Sequence, residues 1–444
     1  MKSSIKSVHE EVKQDDEWEQ VMAHLPSEID VEASARQAKA LQRRREIKSG
    51  VDLLRVVFAY AVCDWSLRMV GAWCGIIGLG DLSDVAILKR LRKCQTWLGG
   101  MIFRILEVRK VQVKSRGGVR LRIMDGTWVS KPGSTGTDWR IHLSLDLGHL
   151  CVDGLEITDA KSGETFGHCS TYPEDIRMGD RGYAYSDSMG AVLVNAGKLV
   201  VRINWQNVPL ETPDGRKFDL IANLQRSDAT ICEHEVRFHA RGMCFPLRLI
   251  VGTLPQAVAD KARHRIRKIY RKKGKTPDQR TLLAAGFILL VTNLSVTEWP
   301  AQEVLQLYRV RWQVELLIKR MKSILDLDHL RALEAQLSQV YLLGKMLAVL
   351  LLDGFFQQAQ SCCPTWFFQT DRPLNIWRLT TLFFEHLRQI VRGHFTLQTI
   401  LNALPRMERF LCNSPRVRPL QFAQARAVLS RLSGEGVSNA ILAH

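Results

Sequence analysis

The hydrophobic pattern of this chain changes period near residue 117, and that change limits the folds it can adopt. From Ile29 to about Val111, apolar residues recur every three or four positions, as in "LLRVVFAYAV", which predicts helices. After residue 117, short runs such as "VRLRIMDGTWV" and "DWRIHLSLDLG" are separated by Gly, Pro and Ser and predict strands. "SDSMGAVLVNAGKLVVRINWQ" then predicts a helix leading into another strand. The sequence therefore predicts an α/β fold flanked by helical regions.

The chain is too long for one ordinary hydrophobic core, so several domains are expected from its 444 residues. Hairpin-like patterns interrupt the α/β alternation after residue 205 and predict an inserted β-rich subdomain. The predicted divisions are a poorly ordered segment (1–20), a helical domain (21–115), the first part of the α/β core (116–204), the insertion (205–285), the second part of the core (286–330) and a helical C-terminal region (331–444).

Charge and composition narrow the classes of partner. A formal net charge of +17 favours a polyanion such as nucleic acid or an anionic membrane surface. The most apolar run, "MLAVLLLDGFFQQA", is short for a bilayer and contains Asp353, so it predicts a buried helix. The N-terminus has no apolar core typical of a secretory signal, which predicts a cytoplasmic protein. Ten cysteines lack zinc-site spacing, so neither zinc nor disulfides are expected.

Two aspartates occupy positions where α/β folds commonly carry active groups. Asp125 in "RIMDGTW" is predicted to end an apolar strand at a glycine, and Asp180 in "GDRGYA" precedes a flexible turn. Aspartate is also common in ordinary turns, because its side chain bonds to nearby backbone groups. Each aspartate alone is therefore weak evidence for a site.

The stretch "YRVRWQVELLIKRMK" predicts a helix that carries charged groups on one face and an apolar stripe on the other. At about 100° per residue, offsets of four and seven place one set of polar side chains in a row. That row consists of Tyr308, Arg311, Glu315, Lys319 and Lys322. The row is either a solvated face with Glu–Lys pairs or part of a functional site.

Glu315, Asp125 and Asp180 together form a set of three oxygen donors. Such a set suits a pair of Mg²⁺ ions, which bind few protein carboxylates and the phosphates of a substrate. A pair of ions can activate a water or a 3′-OH and stabilise the leaving oxygen. The basic side chains and the tyrosine of the row would then contact DNA phosphates.

The spacing of Tyr308, Arg311, Glu315 and Lys322 resembles the Y-R-E-K signature of the insertion-sequence-four family of cut-and-paste DDE transposases. The contexts "MDGT" and "DRGY" resemble those of the family's two catalytic aspartates. The resemblance implies an RNase H-like core interrupted by a β-strand insertion. It also implies a catalytic triad of Asp125, Asp180 and Glu315 that uses two Mg²⁺ ions, for which Mn²⁺ can substitute.

The resemblance further implies the partners. These are double-stranded DNA, as element ends with terminal inverted repeats and as target DNA, and a second copy in a homodimeric DNA complex. Neither a membrane nor a small-molecule substrate is expected, and the site of action would be the nucleoid of the bacterial cytoplasm. Hairpin-forming members of the family use an aromatic residue just before the strand that here reads "LLVT" to hold a flipped base. The resemblance therefore implies Phe287 as the candidate for stacking.

Two basic segments are predicted to contact DNA. "LSDVAILKRLRKCQTWL" has Ser83 as a candidate N-cap and suits the second helix of a helix-turn-helix, although an ordinary surface helix has the same pattern. Its basic residues are Lys89, Arg90, Arg92 and Lys93. The run at 260–275 has the density of charge that suits a DNA backbone. Its candidate contacts are Arg265, Arg267, Lys268, Arg271, Lys272 and Lys273.

Three tryptophans near the predicted acids, Trp128, Trp139 and Trp312, are expected to be core or scaffold. Two alternative functions remain: an inactive DNA-binding descendant acting as a repressor, and a metal-dependent nuclease without strand transfer. The presence of all three carboxylates favours an active enzyme over the repressor. The sequence does not separate a transposase from the nuclease, because the two would share the site.

Overall fold

A computed structural model of the protein describes residues 17–42, 46–112, 119–149, 151–226, 229–365, 374–403 and 410. The N-terminal helices are α1 (Val31–Gln37), α2 (Gly50–Ala61), α3 (Leu67–Ile76), α4 (Asp84–Lys93) and α5 (Gln95–Gln112). The strands are β1 (Arg120–Val129), β2 (Trp139–Asp146), β3 (Cys151–Asp159), β4 (Asp175–Gly179), β5 (Lys198–Arg202), β6 (Ile231–Ala240), β7 (Met243–Thr253) and β8 (Phe287–Thr292). The later helices are α6 (Ser186–Leu193), α7 (Leu220–Arg226), α8 (Gln256–Lys272), α9 (Gln279–Ala284), α10 (Ala301–Arg309), α11 (Trp312–Leu325), α12 (Ala335–Cys362), α13 (Ile376–Arg392) and α14 (Leu397–Ala403).

The helical pattern predicted before residue 117 is confirmed. Ser49 begins α2 with a capping box, in which its hydroxyl accepts from the Asp52 amide while the Asp52 carboxylate accepts from the Ser49 amide. Ser83 caps α4 through the Ala86 amide, as the sequence predicts. Order begins earlier than expected: residues 17–22 are helical. Trp18 is buried there and packs edge-on against Phe58, which fixes a segment whose polar composition predicted disorder. Residues 1–16 of that predicted segment lie outside the described residues.

One mixed sheet of eight strands occupies the centre of the fold, in the order β3-β2-β1-β4-β5-β8-β7-β6. The first three strands of the chain form an antiparallel meander, and β4 and β5 extend it in parallel from β1. Beyond β5, the strands β8, β7 and β6 are again antiparallel. This mixed α/β architecture confirms the predicted fold class at the level of secondary structure.

The predicted β-rich insertion does not form a separate sheet. Its hairpin, β6 and β7, turns at Arg241 and Gly242, both with positive φ, as a two-residue hairpin turn requires. Strand β7 then pairs with β8, so the hairpin continues the central sheet, and its Leu249 shares a buried cluster with Val201 of β5. Local pattern predicted the hairpin but not its place, because the pairing of β7 with β8 joins distant parts of the sequence.

A buried network of ion pairs lies at the end of β1 and β4 opposite to the predicted acids. The guanidinium of Arg122 donates to Asp175 over 2.9 Å, and that of Arg177 lies 3.2 Å from the same carboxylate. Arg122 also pairs with Asp153, and all four side chains are fully buried. Because each charge has an opposite charge beside it, the network fixes the register of β1 against β4.

Helix α12 contains the segment "MLAVLLLDGFFQQA", which the sequence predicts to be a buried helix, and extends beyond it at both ends. Among the described residues it is the one helix long and apolar enough to cross a membrane, and 78% of its most apolar window is buried inside the fold. Its Lys345 is fully buried and donates to the backbone carbonyls of Leu325 and Asp326. Asp353 pairs with Arg109 over 2.7 Å. These contacts identify α12 as a core helix that holds α11 and α5 in place.

The single helix predicted over 308–322 is wrong. Helix α10 ends at Arg309 and α11 begins at Trp312, and the amides of Arg311 and Gln313 bond three residues back instead of four. Val310 and Trp312 are weak helix formers, so tertiary packing decides the junction. The apolar stripe of α11 is confirmed, with Val314, Ile318, Met321 and Leu325 buried.

Candidate catalytic site

Asp125 lies on β1, and Asp180 is the first residue after the neighbouring parallel strand β4. The register of β1 against β4 pairs Ile123 with Met178. Asp125 follows Ile123 by two residues, and Asp180 follows Met178 by two residues. Strand β4 ends at Gly179, and the Asp180 carboxylate accepts from the Gly182 amide over 2.7 Å at the start of a 3₁₀ turn. Strand β1 does not end at Asp125 as predicted: it continues to Val129 against β2, and only its pairing with β4 stops.

Arg311 connects the third acid to the first. Glu315 lies in the first turn of α11, exposed, and accepts a hydrogen bond from the guanidinium of Arg311. Nη1 of the same guanidinium lies 3.9 Å from Oδ2 of Asp125. The signature helix is thereby joined electrostatically to the central sheet at the predicted acids.

The donor set fits a hard divalent cation by its chemistry. Carboxylate oxygens are the ligands that Mg²⁺ prefers, and the acids already attract one positive group, the guanidinium of Arg311. Within the described residues, no three His, Cys, Asp or Glu side chains are arranged closely enough to hold a metal ion as they stand. Assembly of a three-carboxylate site therefore requires the side chains of Arg311 and Glu315 to move.

The pKa values of Asp125 and Glu164 are raised by burial and by neighbouring carboxylates. Burial raises the pKa of Asp125 to about 7; the Gly126 amide and Arg311 lower it, whereas the charges of Asp180 and Glu164 raise it further. Burial, followed by the charge of Asp180, raises the pKa of Glu164 as well. Clustered carboxylates with raised pKa values are typical of functional sites. Glu164 lies in the loop after β3, and no periodicity or strand-end position in the sequence indicates it.

The polar row predicted on one helix is divided between two environments. Tyr308 is buried at the end of α10, with the guanidinium carbon of Arg311 at 5.8 Å from its ring centroid. Lys322 lies half-buried on α11, its Nζ 4.7 Å from the ring centroid of Trp128 and 3.5 Å from the carbonyl of that residue. Lys319 is exposed. The structure thus brings Arg311 and Glu315 to Asp125, places the Tyr308 ring near Arg311, and places Lys322 beside Trp128 of β1.

Two of the three tryptophans expected to be scaffold are exposed. The exposed fraction is 58% for Trp128 and 54% for Trp312, whereas Trp139 is partly buried against the core. Residues 127 and 129 of β1 are buried, so strand alternation directs the side chain of Trp128 outward. The alternation is present in "DGTWV", but tryptophan is usually buried, and that preference leads to the expectation of a scaffold role.

A groove of about 810 Å³ lies between α8 and the end of the sheet near Asp180. Its lining includes Phe287 and Arg265, two of the predicted DNA contacts, and also Arg181, Arg202 and Trp205. Trp205 was not predicted; its Nε1 donates to Thr281 over 3.2 Å, and Arg280 lies over its ring at 4.6 Å. The other predicted contacts of this segment are exposed outside the lining: Arg267, Lys268, Arg271, Lys272 and Lys273.

The predicted recognition helix, α4, packs against α3 and α12. Lys89, Arg92 and Lys93 are exposed and Arg90 is half-buried. Arg92 pairs with Glu334 over 2.7 Å, and Nζ of Lys93 donates to the Gln42 side chain over 3.1 Å. The basic face is therefore partly engaged within the protein.

Comparison with known proteins identifies the family. The family model described as "Transposase DDE domain" matches residues 117–351. The putative transposase InsL for insertion sequence element IS186A of Escherichia coli K12 is 36% identical over 350 residues, covering 77% of this chain and 94% of the relative. The transposase for insertion sequence element IS421 of Escherichia coli is 36% identical over 351 residues, with the same coverage.

More distant proteins are also similar. The transposase for insertion sequence element IS231F of Bacillus thuringiensis subsp. israelensis is 24% identical over 444 residues, covering 90% of this chain and 91% of the relative. A cryo-EM structure of the piggyBac transposase synaptic complex with hairpin DNA aligns with 90% of this chain and 84% of its own, at 9% identity and a TM-score of 0.42. The family match and the two relatives at 36% identity establish that the chain belongs to the DDE transposases of insertion sequences and is a DNA transposase.

Proposed function

We propose that this transposase binds the terminal inverted repeats of its element as double-stranded DNA and catalyses divalent-ion-dependent cleavage and strand transfer. The observation that carries the proposal is the position of Asp125 on β1 and of Asp180 directly after the adjacent parallel strand β4, with Arg311 joining Glu315 to Asp125. The strand order β3-β2-β1-β4-β5, with an antiparallel meander followed by two parallel strands, supports an RNase H-like core. Membership of the insertion-sequence-four family is consistent with the relatives.

Asp125, Asp180 and Glu315 would hold two Mg²⁺ ions, for which Mn²⁺ can substitute. The bound ions would activate the attacking oxygen and stabilise the leaving one. Arg311, released from Glu315, would donate its paired N–H groups to a phosphate next to the scissile bond. The Tyr308 ring lies near this guanidinium, and Lys322, beside Trp128, would contribute a second positive charge to the DNA backbone.

DNA would extend from the acids over two basic surfaces. One is the groove beside α8, where Phe287 and Trp205 offer aromatic faces and Arg265 and Arg181 offer charge. We assign a flipped base to Phe287 in this groove. The other surface is the exposed face of α4 within the helical domain, residues 21–115, which we propose as the sequence-reading module. The active complex would be a homodimer on DNA at the bacterial nucleoid.

Three conservative substitutions test the proposal. Asp125→Asn, Asp180→Asn and Glu315→Gln should each abolish cleavage of end DNA in Mg²⁺, while a gel shift shows binding within a few-fold of the wild type. Cleavage at the wild-type rate by any one variant would remove that residue from the metal site. Strand transfer is scored separately, as covalent joining of a labelled end to a target plasmid. A wild-type protein that cuts but never joins would be a nuclease and not a transposase in this sense.

A further inference from the structure

A fourth acidic side chain, that of Glu164, lies against both catalytic aspartate segments. A Cβ added at Gly126, the residue after Asp125, would meet Oε1 of Glu164 at 3.0 Å and its Cγ at 3.1 Å. A Cβ added at Gly182 would collide with Oε2 of the same carboxylate and would lie 3.0 Å from Oδ1 of Asp180. The two glycines therefore leave a cradle beside the two aspartates, and the carboxylate of Glu164 occupies it.

The loop that carries Glu164 is fixed to the segment that follows Asp180. The hydroxyl of Tyr185 donates to the carbonyl of Glu164 over 3.0 Å. The amide of Phe166 donates to the Ser188 hydroxyl over 3.1 Å, and the fully buried Phe166 ring packs against Tyr183 at 4.8 Å between centroids. Because Glu164 itself and Phe166 are anchored, little conformational entropy is lost when the carboxylate acts in this position.

The Glu164 carboxylate lacks a compensating partner. Within the described residues it makes no hydrogen bond or ion pair, whereas Asp125 and Asp180 each accept from a glycine amide. The guanidinium of Arg311 lies with Asp125 and Glu315, and Arg140 acts on Glu164 only as a longer-range positive charge. A half-buried carboxylate beside two others is unfavourable unless a cation joins it. A cation on the Asp180 side would relieve the repulsion among these carboxylates.

We propose that Glu164 is a fourth carboxylate of the catalytic metal site and supplies an oxygen donor to a divalent cation on the Asp180 side. The inference rests on the proposed function, because it requires that Asp125 and Asp180 bind metal. In the absence of DNA phosphates, three carboxylates carry fewer negative charges than two divalent cations carry positive ones, and Glu164 would supply the fourth. Its role is catalytic in the sense that its oxygen contacts the cation.

The test measures Mn²⁺ binding by isothermal titration and by electron paramagnetic resonance of free Mn²⁺, with the full chain and no DNA. Glu164→Gln keeps the size of the side chain and should weaken Mn²⁺ binding by about ten- to a hundredfold, at an unchanged or higher melting temperature in EDTA. Glu164→Asp keeps the charge with a shorter reach and should bind with intermediate affinity. Glu298→Gln, which removes an exposed acid elsewhere, should bind as the wild type does.

Asp180→Asn separates the two proposals. If it loses Mn²⁺ binding and Glu164→Gln retains the wild-type affinity, the fourth ligand is overturned and the three-acid site stands. If Asp180→Asn retains that affinity, the proposed metal site fails and Glu164 fails with it. A further variant, Glu164→Cys, should shift the preference from Mn²⁺ toward Cd²⁺, because a thiolate favours the softer ion. A purely structural Glu164 would leave that preference unchanged.

Discussion

The guanidinium of Arg311 lies between two acids: Nη1 is 3.9 Å from Oδ2 of Asp125, and Nη2 donates to Glu315. The side chains of Arg311 and Asp125 are only 16% and 17% exposed, so water screens their attraction weakly. The protein thus places its own cation where the proposed function requires metal and phosphate to meet. In the proposed mechanism, a metal ion and a DNA phosphate take the place of this guanidinium at the acids.

Arg311→Ala should reduce cleavage of end DNA by at least about a hundredfold, because a positioned phosphate contact is lost. Loss of the contact with Glu315 should change the free energy of unfolding by only about 1 kcal/mol, because Glu315 is half-exposed and becomes hydrated when the pair is broken. Melting curves measured beside cleavage time courses check both expectations. Lys322→Ala should behave in the same way, and Lys319→Ala, exposed one turn from Glu315, is the control that should cut normally.

The raised pKa of Asp125 predicts a pH dependence of stability. Between its ordinary value of 3.8 and about 7, the folded protein holds a proton that the unfolded chain has released. Stability of the metal-free protein therefore falls as pH rises through this window. Asp125→Asn removes that loss, so its melting temperature should equal that of the wild type near pH 4 and exceed it by a few degrees at pH 7.

Asp138 provides a control of opposite sign for this pH series. Its pKa lies below the ordinary value because its carboxylate accepts from the Lys131 amide. Ionised Asp138 therefore favours the folded state, and Asp138→Asn should lower the melting temperature above pH 4 without raising it at pH 7. Equal pH profiles for Asp125→Asn and the wild type would show that Asp125 titrates normally.

The engaged side chains of α4 predict unequal contributions to DNA binding. Lys89 and Lys93 are exposed with their charges available, whereas Arg92 is already paired with Glu334. The double variant Lys89→Ala/Lys93→Ala should weaken binding to element ends and reduce the salt slope by about two. Arg92→Ala should reduce it by less than one. Gel-shift titrations at several salt concentrations decide this, and an unchanged slope in the double variant would show that α4 faces solvent.

The exposed ring of Trp128 predicts a stacking contact. Trp128→Ala should weaken end-DNA binding by about 1–3 kcal/mol without changing the salt slope, because stacking releases no counterions. Lys322→Ala should instead reduce the slope by about one. Trp128→Phe should retain most of the affinity, since a π face remains. Binding by Trp128→Ala equal to that of the wild type would limit the ring to covering the stem of Lys322.

The buried ion-pair network predicts loss of stability without loss of chemistry. Asp175→Asn would leave Arg122 and Arg177 short of a negative partner in a site with no exposure to water. Unfolding should become easier by about 3–5 kcal/mol. Chemical denaturation measures this, and the control Asp214→Asn, in an exposed pair with Arg216, should leave the midpoint unchanged. At low temperature, folded Asp175→Asn protein should still cleave, because the network lies at the far end of the strands.

The sequence indicates the three acids as candidates because their signals are local. Asp125 follows an apolar run, Asp180 precedes a turn, and Glu315 opposes the buried stripe of α11; each relation spans only a few residues. The break at 310–311 could not be predicted, because Val310 and Trp312 only weaken a helix, and the burial of Tyr308 is set by tertiary packing.

Features that depend on contacts between distant parts of the chain cannot be predicted from local sequence patterns. Glu164 becomes notable only when the loop after β3 folds against Gly126 and Gly182, which are far apart along the chain. The hairpin of β6 and β7 was visible in the pattern, but its pairing with β8 was not. The outward direction of Trp128 follows from strand alternation, and the expectation that tryptophan is buried overrode that signal.

The pairing of β5 with β8 determines where this chain can change length. Val200 is opposite Thr292, so everything from residue 203 to 286 departs from one strand and returns to its immediate neighbour. The acids lie outside this excursion, although its tip packs against α6, where the Ser186 hydroxyl donates to the carbonyl of His239. The excursion cannot be removed altogether, because β7 covers the free edge of β8. The excursion is therefore an insertion in the sequence but an integral part of the sheet in the structure.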